Sequence, residues 1–129
     1  MTRWLPVLEF QVPGEPLPKR RPQHRGGQAR AFTPKATRDA ELRIADAFRA
    51  LYPSWVPIPR GVMVRLDLVI YRRTRRPADW DNLAKLPQDA LNGLAWADDE
   101  QIAVARVERV YGAGDDARTV IRVAREVAA

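Results

Sequence analysis

From Val62 to Ile70 the chain alternates: Val62, Val64, Leu66, Leu68 and Ile70 are apolar, and Arg65 and Asp67 sit between them. Successive side chains of an extended chain point to opposite faces, so this pattern makes a strand with one face in a core and the other toward water. A strand of that kind needs neighbours in a sheet and a second layer over its apolar face.

Candidates for both are legible. Residues 5–12, with Leu5, Val7, Phe10 and Val12, read as a first strand that Pro13 and Gly14 end. Residues 102–111 and 118–125 read as a C-terminal hairpin, turning in Gly112-Ala113-Gly114-Asp115-Asp116. For the covering layer, Thr33-Pro34 is a helix start, and Ala40, Ile44, Ala47, Phe48 and Leu51 follow as one stripe until Pro53. Three prolines make 53–60 a connector. A second helix is expected from about Asn82 to Gly93. Leu83, Leu86, Ala90, Leu91 and Leu94 share one face, and Asp81, Lys85, Gln88, Asp89 and Asn92 the other. Pro87 inside it removes a hydrogen bond and disfavours helix at Leu86, so a kink or a division in two is expected there. Residues 13–30 hold four prolines, three glycines and the basic residues Lys19, Arg20, Arg21, Arg25 and Arg30. They read as a long loop, or a loose hairpin returning through Ala29 to Phe32. A loop of this length in a small domain is functional or disordered.

At 129 residues the chain has room for one core, so residues 1–129 are expected to form a single domain. It has no apolar run long enough for a membrane span, and its N-terminus lacks a signal-peptide pattern, which makes the cytoplasm the expected location. The absence of cysteine excludes disulfides, thiolate metal sites and cysteine nucleophiles, and His24 is the only histidine. His24 is too isolated for a catalytic base. Any catalytic metal must therefore sit mainly on oxygen, which selects hard cations such as Mg²⁺ or Mn²⁺.

Net charge is +6, which points to a polyanionic partner. Its distribution is uneven. Between 79 and 100, Asp79, Asp81, Asp89, Asp98, Asp99 and Glu100 face Lys85 alone, a net of −5 that leaves +11 on the rest. Carboxylates that hold a hard cation, inside a surround that holds phosphates, suit phosphodiester hydrolysis. The cation polarises the phosphoryl oxygen and lowers the pKa of a bound water, and a lysine stabilises the developing charge. The same residues also have a bland reading. Asp79 can be a helix cap, Asp81 a first-turn acid, and Lys85 with Asp89 an i,i+4 surface pair worth ~0.3–0.5 kcal/mol. Asp79 and Asp81 fit the opening of an EF-hand, but Ala84 stands where its turn needs glycine and Ala90 where it needs glutamate, which argues against one. Trp80, between two acids, reads as a buried anchor in the first place and as a base-stacking residue in the second. Trp4, Trp55 and Trp96 read as core or interface residues.

The run Asp79-Trp80-Asp81-Asn82-Leu83-Ala84-Lys85, then Asp89-Ala90-Leu91-Asn92, then Asp98-Asp99, resembles the signature of the RusA-type Holliday junction resolvases of bacteria and their prophages. Val12-Pro13-Gly14-Glu15-Pro16-Leu17-Pro18-Lys19-Arg20-Arg21-Pro22 is similar to that family's N-terminal stretch, and Phe32-Thr33-Pro34 to the start of its first helix. The resemblance implies a small mixed α/β (α+β) domain with two main helices that works as a homodimer. It implies a Mg²⁺-dependent endonuclease, with Mn²⁺ as a substitute, that resolves four-way DNA junctions by paired nicks in recombination and repair. It implies metal-binding aspartates at Asp79, Asp81 and Asp99 and a catalytic lysine at Lys85. Asp98 is a weaker candidate, and Asp89 is expected to support the site. The expected phosphate contacts are Lys19, Arg20, Arg21, Arg25, Arg72, Arg73, Arg75 and Arg76. Two other classes of function compete. A non-catalytic branched-DNA-binding protein should have lost an acid or the lysine. An RNA-binding protein would explain the charge and leave the acidic island unexplained.

Overall fold

The computed structural model describes residues 3–19, 23–24, 31–32 and 35–128, with backbone alone at 23–24 and 31–32. The alternating segment is strand β4 (Val64–Tyr71), and its burial follows the sequence pattern. Val64, Leu66, Leu68 and Ile70 are at most 2% exposed, while Arg65, Asp67, Val69 and Tyr71 stay half-buried on the opposite face. β4 lies inside a four-stranded sheet of order β1-β6-β4-β5. Helix α1 (Lys35–Leu51) and helix α2 (Trp80–Leu91) cover its apolar face. Burying each large aliphatic side chain there contributes about 1.5–3 kcal/mol. This is the expected small α+β domain.

Strand β1 (Arg3–Pro13) pairs antiparallel with β6 (Arg118–Val127), with a register shift between Pro6 and Leu8. The shift explains a departure from the sequence reading. Leu5 and Val7 have the opposite parity to Phe10 and Val12, and a bulge next to a proline is where parity changes. Leu8, Phe10 and Val12 accordingly enter the core, Leu5 is 50% exposed and Val7 half-buried. Within 13–32, a two-residue antiparallel ladder joins β2 (Gln23–His24) to β3 (Ala31–Phe32), as a loose hairpin would. The expected helix start at Thr33-Pro34 lies outside the described residues. At the other end of α1, Leu51 leaves the apolar stripe and is 59% exposed.

The C-terminal hairpin is not formed. β5 (Ile102–Val110) pairs parallel with one side of β4, and β6 pairs antiparallel with the other. Parallel neighbours need a crossover, and α2 supplies it. Because β5 then ends beside the end of β4, the chain must cross over β4 to reach β6. It does so in the segment read as the hairpin turn. Arg72 N–H donates to Val110 O (2.7 Å), Ala113 N–H to Arg72 O (2.9 Å) and Gly114 N–H to Arg73 O (3.1 Å). Gly112 and Gly114 adopt positive φ of 78° and 59°, which glycine does without a Cβ penalty.

α2 starts two residues earlier than expected and runs unbroken through the buried Pro87. After it, Gly93 (φ 81°) reverses the chain. Gly93 N–H donates to Trp96 O (2.8 Å), and residues 95–97 lie against the connector through Ile58 N–H to Ala95 O (3.0 Å) and Ala97 N–H to Ile58 O (3.1 Å). Trp55 donates from Nε1 to Ala95 O at 3.0 Å and packs with Phe48 and Tyr52. The proline-rich connector thereby fixes the segment that leads to Asp98 and Asp99.

Candidate active site at the start of helix α2

Asp79 is the N-cap residue of α2 in extended conformation, yet its side chain makes no cap bond to a backbone N–H. Among the described residues its side chain accepts one long hydrogen bond, 3.5 Å from Asn82 Nδ2. Asp81 accepts from Asn82 N–H at 2.9 Å. Both carboxylates are exposed. Arg109 of β5 holds the approach to Asp79 by donating from Nη1 to Ala78 O at 3.0 Å.

Asp99 opens a 3-10 turn (Asp99–Gln101) capped by Asp98. Asp98 accepts from Glu100 N–H at 3.2 Å and faces Arg60 at 3.5 Å, so its carboxylate is engaged in holding the turn. Gln101 is buried and ties the turn to the connector, its Oε1 accepting from Asp98 N–H (2.8 Å) and its Nε2 reaching Pro59 O (2.8 Å). Asp99 itself is half-buried and accepts a 2.7 Å hydrogen bond from Nε1 of the fully buried Trp96. Burial pushes its carboxyl above the ordinary aspartate value. The Trp96 bond opposes that shift, Asp89 and Asp98 add to it, and Lys85 offsets it. Lys85 and Asp89 are thus close enough for their charges to reach Asp99.

Lys85 and Asp89 pair at 3.0 Å along α2. Asp89 also meets Lys19 at 3.3 Å, and Lys19 pairs with Glu41 of α1. Burial lowers the Lys19 pKa, and the two carboxylates more than reverse this, leaving it above its ordinary 10.5. Asp79, Asp81 and Asp99, by contrast, make no ion pair among the described residues. Among those residues, too, no three His, Asp or Glu side chains converge closely enough to hold a metal ion. The donors suit a hard cation in kind, but as placed they do not form a ligand set.

The basic residues divide. Arg73, Arg75 and Arg76 are exposed, Arg73 in a 2.9 Å pair with Asp115. Arg72, expected among the phosphate contacts, is 6% exposed. Its Nη1 donates to Pro16 O at 2.7 Å, and its Nε lies 3.2 Å from Glu15 Oε1 without the alignment of a hydrogen bond. The reason is topological: the crossing over β4 and the 14–19 segment close over Arg72 from two sides. Lys19 is likewise turned inward onto Glu41 and Asp89. Arg20, Arg21, Arg25 and the His24 side chain lie outside the described residues. Trp80 reverses its expectation. It is 58% exposed, and the buried indole at the site is Trp96. Trp80 falls on the outer side of the first helical turn, which spacing between two acids does not reveal. Trp96, Arg109 and Gln101 were missed because they act through contacts distant in sequence or through a buried N–H.

Acids at a helix start, an ammonium one turn along, and an arginine-rich loop beside them define a class of domain suited to polyanionic phosphates. A model of the RusA endodeoxyribonuclease family matches residues 13–124, and the chain belongs to that family. No curated protein matches the chain significantly. No helix among the described residues is long and apolar enough to cross a membrane.

Proposed function

We propose that this endodeoxyribonuclease resolves four-way DNA junctions by symmetric nicks made by a homodimer, with Asp79, Asp81, Asp99 and Lys85 as its working set. The observation that carries the reading is the state of the acids. In a chain of 22 basic residues, Asp79, Asp81 and Asp99 are left without a cationic partner among the described residues, whereas Asp89 and Asp98 are paired. Carboxylates that make no ion pair among the described residues are free to take up a cation, and their oxygens suit a hard one. We infer that Mg²⁺, with Mn²⁺ as a substitute, is that partner, held by Asp79, Asp81 and Asp99 as the acids close on it. Lys85 meets the charge that develops on the scissile phosphate. Arg73, Arg75 and Arg76, together with Arg20, Arg21 and Arg25, contact the DNA backbone. This work belongs to recombination and repair in the cytoplasm.

The test is incubation with a labelled four-way junction, a matched duplex and an RNA hairpin, with and without Mg²⁺. Cleavage confined to the junction and dependent on the cation is expected, as is its loss in Asp81→Asn with junction binding retained. Full activity of Asp81→Asn in Mg²⁺ would overturn the site. Binding without cleavage by the wild type would leave a non-catalytic junction-binding protein.

A further inference from the structure

We propose that Asp89 is a positioning residue for Lys85, and that Lys19 holds Asp89 in place for that task. The inference rests on the reading of Lys85 as the group that meets the scissile phosphate.

An i,i+4 pair on an open helix face would carry little meaning, because both side chains remain free to leave it. Asp89 differs on two counts. Its side chain is only 22% exposed, against 52% for Lys85, so the carboxylate is the fixed member of the pair. It is also gripped from the far side. One oxygen, Oδ1, faces Lys85 Nζ at 3.0 Å, and the other, Oδ2, faces Lys19 Nζ at 3.3 Å. Lys19 is in turn paired with Glu41, so two ammoniums and two carboxylates balance in one cluster.

The backbone fixes Lys19 as well. Its N–H donates to Asn82 O at 2.8 Å, which docks it on the first turn of α2 while its ammonium reaches the third. The segment leading to it is tied at Gly14, whose N–H donates to Ala117 O (3.0 Å), and at Pro16, whose carbonyl accepts from Arg72 Nη1 (2.7 Å). The N-terminal segment therefore aims Asp89, and Asp89 aims Lys85. Without the carboxylate charge, the Lys85 ammonium on its four-carbon stem would leave this orientation or turn toward Asp99, which has no ion-pair partner among the described residues.

The experiment is a double-mutant cycle, read by single-turnover cleavage of a four-way junction with protein in excess, alongside junction Kd and Tm. Asp89→Asn should slow cleavage by about ten- to a hundredfold, the scale of a misplaced reacting group, with Kd within twofold. In a Lys85→Met background the same substitution should cost no further rate, because Asp89 acts through Lys85. Lys19→Met should slow cleavage in the same direction, and Lys19→Arg should restore it. Losses that multiply in the double variant would overturn the proposal, as would Asp89→Asn cleaving at the wild-type rate while Lys85→Met does not. Wild-type cleavage by Lys85→Met would remove the underlying role of the lysine itself. Should Asp89→Asn fail to fold, the Lys19→Met and Lys19→Arg pair in the two backgrounds gives the same comparison.

Discussion

Asp99 is oriented by one buried indole, and nothing about the spacing of Trp96 and Asp99 advertises it. Trp96→Phe removes the N–H that donates to Asp99 and also shrinks a fully buried ring, so Tm is read beside activity to separate the lost bond from the cavity. Partners that orient a ligating carboxylate are commonly worth ten- to a hundredfold in metal affinity or activity. We expect a loss of about that size in Mg²⁺-dependent junction cleavage, with Mn²⁺ binding by calorimetry weakened in parallel. Unchanged values in both would show that the bond to Asp99 is only a packing contact. Trp80 has the opposite character, an exposed aromatic flanked by the acids. Trp80→Ala should leave the urea midpoint nearly unchanged, since exposed substitutions usually fall within about 0.5 kcal/mol. It should weaken junction binding by roughly 1–3 kcal/mol if the indole stacks on a base. An equal Kd would exclude that contact.

Among the elements, the 14–19 segment and the crossing over β4 share one anchor, Arg72. Arg72→Ala removes the donor to Pro16 O and leaves Glu15 without its buried partner. Such losses cost about 2–4 kcal/mol, measurable by urea unfolding. A change below about 0.5 kcal/mol would mean the segment is held elsewhere. The sequence showed these elements unevenly. β4 was legible because strict alternation has one meaning. The apolar face of α2 was legible because Leu83, Leu86, Ala90 and Leu91 repeat at helical spacing. β5 and β6 were recognisable as strands, yet their pairing was not, because periodicity reports which face is buried and is silent on which neighbour a strand takes. The same limit applies to the site. Its acids and lysine were legible as residue types at a spacing. The inward turn of Lys19 and Arg72 depends on a segment folding back across the molecule, and charge alone reads both as surface cations.

At the level of the whole molecule, the proposed set of Asp79, Asp81, Asp99 and Lys85 would supply one cleavage site per chain, whereas resolution of a junction by paired nicks would need two. Closed twofold pairing is the commonest way to provide the second. β4 cannot add a strand, because β5 and β6 already occupy both of its edges. The sheet surfaces still open among the described residues are the edge strands β1 and β5 and the face opposite the helices. That face carries the half-buried Val69 and Tyr71 among the Arg65–Asp67 and Glu9–Arg122 pairs. Light scattering should give about twice the 14.7 kDa of the chain. A monomer mass at a concentration where both strands of a cruciform plasmid are cut would refute the pairing. Mixing wild-type chains with an excess of Asp81→Asn chains should make nicked circles accumulate at the expense of linear product.

The pairing of β1 with β6 brings Arg3 opposite Val127. The first and last strands are therefore neighbours in the sheet, and β4 waits for both of its partners from residues that follow it. During synthesis the sheet cannot be built progressively. β1 has no place to settle until β6 has been made, and contacts of such long sequence separation form late and slowly. The basic N-terminal stretch is thus made well before the sheet that anchors it. A nascent chain can attract nucleic acid by charge at a stage when Asp99 and β6 have not yet been made, so the basic flank of the proposed site precedes its acids and the sheet that carries them.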